Sequence, residues 1–76
     1  MATGEPTIDV TIRLEPVDAA RMDRIVQDLA RLGLGRIARH ERFSIVNGSI
    51  PADKVGSLRT VDGVASVRED QAYRAF

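Results

Sequence analysis

Thr7-Ile8-Asp9-Val10-Thr11-Ile12-Arg13-Leu14 alternates apolar and polar residues without a break. Successive side chains of a strand point to opposite faces, so Ile8, Val10, Ile12 and Leu14 share one side and Thr7, Asp9, Thr11 and Arg13 the other. This period of two predicts a half-buried strand, one face on a core and the other on water or a partner. Its apolar face needs cover, and the next stretch supplies it. Glu15-Pro16-Val17 stops the strand, and Asp18 is placed to N-cap a helix. From Ala19 to Leu32, the residues Met22, Ile25, Val26, Leu29 and Leu32 recur on one helical face. Arg21, Asp23, Arg24, Gln27, Asp28 and Arg31 take the wet side. Gly33 suits the left-handed residue of a Schellman ending, with Leu34 returning onto Leu29.

Further along, the segment from 36 to 50 reads as two strands, Arg36 to Glu41 and Arg42 to Ser49. No glycine marks a hairpin turn between them. The apolar phase slips from Phe43 and Ile45 to Val46 and Ile50, which implies a bulge or apolar groups on both faces. Asn47-Gly48 offers the left-handed positions of a type I′ turn and supports a competing hairpin there. Pro51 suits the first turn of a second helix, whose short apolar face is Val55, Leu58 and Val61. Gly56 weakens that helix, and Asp62-Gly63 ends it before a strand that begins at Val64 or Ala65. The order strand, helix, strand, strand, helix, strand makes two split β-α-β units. Right-handed crossovers then give a ferredoxin-like α+β sandwich, a four-stranded antiparallel sheet with both helices on one face. The expected organisation is a leader over 1–6, one domain over 7–70 and a tail over 71–76.

Composition narrows the function classes. Seventy-six residues make one small domain, and with no cysteine it lacks disulfides, a thiolate nucleophile and a cysteine-based zinc site. Eleven basic and eleven acidic residues cancel, which argues against a general nucleic-acid binder. No apolar run is long enough to span a membrane, and Met1 to Pro6 lacks the pattern of a secretory signal. The expected location is the cytoplasm, with secretion as the alternative if a signal precedes this sequence, and the expected free state is a monomer.

Candidate chemistry is sparse. His40 is the one histidine, and it sits beside Arg39 and Glu41 in a weak strand expected at a sheet edge, where solvation outweighs catalysis. Ser44, Ser49, Ser57 and Ser66 lie in no nucleophile-elbow context. Gly33-Leu34-Gly35 serves as a helix stop rather than a phosphate loop, and no set of ligands converges for a metal. The reading is a non-enzyme that needs no cofactor. An RNA platform would present aromatics on central strands, and Phe43 is the one candidate ring. Arg31, Arg36, Arg39 and Arg42 form a basic patch that is better explained as a solvated edge discouraging aggregation.

The last stretch is different in kind. Of three aromatics in the chain, Tyr73 and Phe76 both lie beyond the final strand, where rings either complete the core or anchor a partner. Val64-Ala65-Ser66-Val67, the acidic pair Glu69-Asp70 and a run of six residues ending on Phe76 form a recognisable series. It resembles the end of the propeptides of subtilisin-like serine proteases and of the free-standing inhibitors related to them. The likeness extends back through Gly33 to Gly35, Phe43 to Ile50 and Ile50-Pro51.

That resemblance implies the same ferredoxin-like fold and a subtilisin-like serine protease as partner. Tyr73, Arg74, Ala75 and Phe76 would lie in the substrate cleft, with Phe76 in the pocket before the scissile position and Tyr73 in the apolar pocket three residues upstream. Ala75 and Arg74 would face the catalytic wall and solvent. The carboxylate of Phe76 would stand like a cleavage product, and Glu69 and Asp70 would cap surface helices of the protease. Arg68 before the acids departs from the family pattern. With no protease domain after Phe76, the resemblance favours an inhibitor or a folding helper acting in trans. The alternative is a ligand-sensing regulatory module of the amino-acid-sensing, ACT-like type, which shares the strand order.

Overall fold

A computed structural model describes residues 6–70. The expected leader, apart from Pro6, and the expected tail over 71–76 lie outside the described residues. The elements are strand β1 (Thr7–Leu14), helix α1 (Ala19–Arg31), strand β2 (Gly35–His40), strand β3 (Ile45–Pro51), helix α2 (Val55–Leu58) and strand β4 (Val64–Asp70). Neighbouring strands are antiparallel in the order β2-β3-β1-β4, so β1 is central, as its alternation requires. This is the ferredoxin-like α+β sandwich.

The core joins three strands to both helices. Val10, Ile12 and Leu14 of β1, Val46 and Ile50 of β3 and Val67 of β4 form one buried cluster with Met22, Ile25 and Leu29 of α1 and Val55 and Leu58 of α2. Each of these side chains loses most of its contact with water, a contribution of about 1.5–3 kcal/mol for a residue of this size. Val26, Leu32 and Val61 pack at the margin, half-buried. The α1 ends are built as their residues dictate. Asp18 accepts a hydrogen bond from the Arg21 amide at 2.9 Å. Gly33 turns left-handed at φ 112°, and the amides of Gly33 and Leu34 bond to the carbonyls of Ala30 and Leu29 at 3.0 and 3.1 Å, a Schellman ending.

The middle of the chain departs from expectation in two places and in a third follows the two-strand reading over the competing hairpin. First, β2 ends at His40, a 3₁₀ turn occupies Glu41–Phe43, and β3 begins only at Ile45. The turn closes through Ser44, which is left-handed at φ 55° and bonds back to the Glu41 carbonyl. A serine thus fills the place where a glycine was missing, held there because its carbonyl accepts the Leu14 amide at 2.8 Å. Second, Asn47-Gly48 lies in the middle of β3, opposite Thr11 and Val10, as the two-strand reading has it and against the competing hairpin. Third, Pro51 closes β3 opposite Thr7 instead of opening a helix, and a 3₁₀ turn over Ala52–Lys54 leads into the four residues of α2. Proline is tolerated at a strand end, where a missing amide costs little.

Candidate functional site

With the helices closing one side of the sheet, its distinctive chemistry lies on the open side. Strand register decides which residues stand there. Thr7, Asp9, Thr11 and Arg13 of β1 pair with Pro51, Ser49, Asn47 and Ile45 of β3 and, from Asp9 to Arg13, with Asp70, Arg68 and Ser66 of β4. Ala38 and His40 of β2 extend the same face from the far edge of β3. Its centre, Ala38, Asn47 and Thr11, consists of short side chains.

Three hydrogen bonds cross this face from one edge strand to the other. His40 Nε2 donates to Asn47 Oδ1 at 2.9 Å, Asn47 Nδ2 donates to Thr11 Oγ1 at 2.9 Å, and the Thr11 hydroxyl donates to Asp70 Oδ2 at 3.1 Å. An amide oxygen only accepts, so the histidine nitrogen is the donor and the direction of the whole chain is fixed. Every donor points towards β4, and the chain terminates on a carboxylate. His40 is therefore not merely solvated: it begins a bonded series that spans all four strands.

The sequence set Glu69 and Asp70 side by side at a strand end. In the structure β4 continues through both, so they fall on opposite faces of the sheet. Asp70 stands on the open face opposite Asp9, while Glu69 stands opposite Val10 on the helix side, exposed at the outer edge. Asp9 is the acid that the fold brings to Asp70. Its place on the polar side of β1 was legible in the alternation, but its pairing with residue 70 depends on the register of two strands far apart in the chain. Arg36, left-handed at φ 51°, joins Asp9, Val10, Asn47, Gly48 and Asp70 around a shallow depression of about 240 Å³. Tyr73, Arg74, Ala75 and Phe76 lie outside the described residues.

Two of the four arginines of the expected basic patch are paired with acids. Arg39 contacts Asp23 at 2.7 Å and Glu41 at 3.0 Å, and Arg31 contacts Asp28 at 3.3 Å. Phe43, 67% exposed, is displayed by the 3₁₀ turn and not by a central strand, so no aromatic platform for bases exists among the described residues.

Comparisons with known proteins give one broad and one partial likeness. The chain is 40% identical over 70 residues to the transcriptional repressor NrdR of Gluconobacter oxydans (strain 621H), a match that covers 92% of this chain and 40% of the repressor. The chain thus spans well under half the length of that curated relative. No solved structure matches the chain. A family model described as "Putative peptidase inhibitor domain" matches residues 2–70, which takes in every strand and both helices. The chain belongs to this peptidase inhibitor domain family.

Proposed function

We infer that the chain inhibits a subtilisin-like serine peptidase, holding its C-terminal residues in the substrate cleft in the manner of a product. The observation that carries this reading is the family match over residues 2–70, joined to the terminal series from Val64 to Phe76 that resembles subtilisin propeptides. Such peptidases bind extended peptide by adding a strand, with alternate side chains entering pockets. Tyr73 and Phe76 have the size to fill apolar pockets, and the resemblance to subtilisin propeptides sets two such pockets three residues apart. Asp70 suits the positive N-terminus of a helix on a partner lying over the open face, and Glu69 a group beyond the outer edge of β4.

The open face supports such docking. Burying a polar group without a partner costs about 1–3 kcal/mol, and Thr11 and Asn47 already satisfy one another. Covering the centre of this face therefore strands few donors. The test is inhibition of a panel of subtilisin-like peptidases by the purified 76-residue chain. Competitive inhibition is expected, and none across a broad panel rejects the reading.

A second reading, the ligand-sensing regulatory module, draws support from the 40% identity to a transcriptional repressor. A rise in melting temperature with a free amino acid, in a protein that inhibits no peptidase, would place it first.

A further inference from the structure

We propose that Thr11 and Asn47 are positioning residues that hold the Asp70 carboxylate for its partner, with His40 as the far anchor of the same chain. The inference rests on the inhibitor reading for the identity of that partner, but the chain of bonds is a property of the free protein.

A carboxylate on an outer strand ordinarily samples several rotamers, and ordering it costs binding free energy when a partner arrives. Here one oxygen of Asp70 accepts the Thr11 hydroxyl at 3.1 Å. That hydroxyl has a single proton, and it is free to point at Asp70 because its lone pair already accepts from Asn47 Nδ2 at 2.9 Å. Asn47 in turn accepts from His40, whose donation to Oδ1 leaves Nδ2 for the threonine. Reversing the amide would set its oxygen against a hydroxyl committed to Asp70, so the threonine end fixes the amide and leaves Oδ1 to accept from His40. Each link thus fixes the next, and chains of aligned donors polarise one another. The second oxygen of Asp70 takes no part in this chain of bonds, which leaves its lone pairs for a partner's donor. Asp9 directly opposite repels the carboxylate, since like charges across a strand pair are destabilising. The threonine hydroxyl opposes that repulsion and keeps Asp70 at the face.

The experiment has two readouts on full-length Thr11→Val, Thr11→Ser, Asn47→Ala and Asp70→Asn, and on the double variant Thr11→Val with Asp70→Asn. In the free protein, the Asn47 side-chain amide and His40 ring nitrogen resonances are followed by NMR. Thr11→Val and Asp70→Asn should move both, and Thr11→Ser, which keeps the hydroxyl, should leave them near wild type. Unmoved resonances overturn the inference without reference to any peptidase. In the inhibition assay, Thr11→Val should weaken binding about two- to tenfold, the scale of ordering one side chain that the free protein no longer holds in place. Asn47→Ala, which frees the hydroxyl to turn away, should weaken it in the same direction. Thr11→Ser should restore it, and Thr11→Val should add nothing once Asp70 is asparagine. Wild-type inhibition with a fully active Thr11→Val overturns the inference and leaves the inhibitor reading standing. No inhibition by the wild type removes the peptidase as partner, a result visible before any variant is made. The free-protein resonances then judge whether Asp70 is held.

Discussion

Gly48 is a residue whose side chain is excluded by its neighbours. A Cβ at this position would lie 2.8 Å from the Gly35 carbonyl oxygen and 2.8 Å from Leu34 Cγ. The leucine can shift, but the carbonyl belongs to the adjoining strand and cannot. Gly48→Ala should therefore destabilise by about 1–3 kcal/mol, as overpacking does, lowering the melting temperature by roughly 4–8 °C per kcal/mol for a domain of this size. Thermal denaturation checks it, and a shift within about 1 °C would show that the strands part without strain. The same residue explains why a hairpin competed with the strand reading here. Asn-Gly is a strong local turn signal, yet each of the two residues serves a separate long-range contact. Asn47 bridges His40 and Thr11, while Gly48 admits Leu34 beneath the strand. Neither contact is visible in a window of neighbouring residues. Ser44 is the converse case, a true turn residue without a turn signature, stabilised in its left-handed conformation by a hydrogen bond from Leu14.

Elements whose instructions are local were legible in full, and those set by tertiary contacts only in part. The β1 alternation and the α1 stripe repeat over 8 and 13 residues, and both ends of α1 carry their own capping chemistry. By contrast α2 has four helical residues, whose apolar pair Val55 and Leu58 was legible while its start, delayed past Pro51 by a 3₁₀ turn, was not. The acids of β4 looked like a strand end because charge seldom marks a strand interior, but an outer strand exposes most of its side chains. Two substitutions measure the local instructions of α1. Leu29 is fully buried at the centre of its apolar face, so Leu29→Ala should cost about 2–5 kcal/mol. Asp18→Ala removes the bond to the Arg21 amide and should cost about 1 kcal/mol. Chemical denaturation with an unchanged m-value measures both. A loss under about 1 kcal/mol for Leu29→Ala would contradict its place in the core.

At the scale of the whole molecule, the described fold and the terminal residues make separable claims. The buried cluster of β1, β3, β4 and the two helices consists of aliphatic side chains and Met22, and among the described residues no aromatic enters it. If Tyr73 and Phe76 serve a partner instead of this cluster, deleting Tyr73 to Phe76 removes binding and leaves folding intact. Anchors of this kind contribute about 2 kcal/mol or more each at an interface hot spot, so losing two should weaken inhibition by about a thousandfold. The melting temperature should hold within about 2 °C, well inside the shift that 1 kcal/mol of lost stability produces in a domain of this size. Phe76→Asp should weaken inhibition in the same direction by placing a charge in an apolar pocket. Leu29→Ala provides the opposite pattern, a loss of stability with the terminal anchors retained. The two measurements taken together decide the case. A lowered melting temperature on truncation means that the rings complete the core. Unchanged inhibition means that the folded body alone blocks the peptidase, and the open sheet face, with Asp70 held at its edge, would then carry the contact.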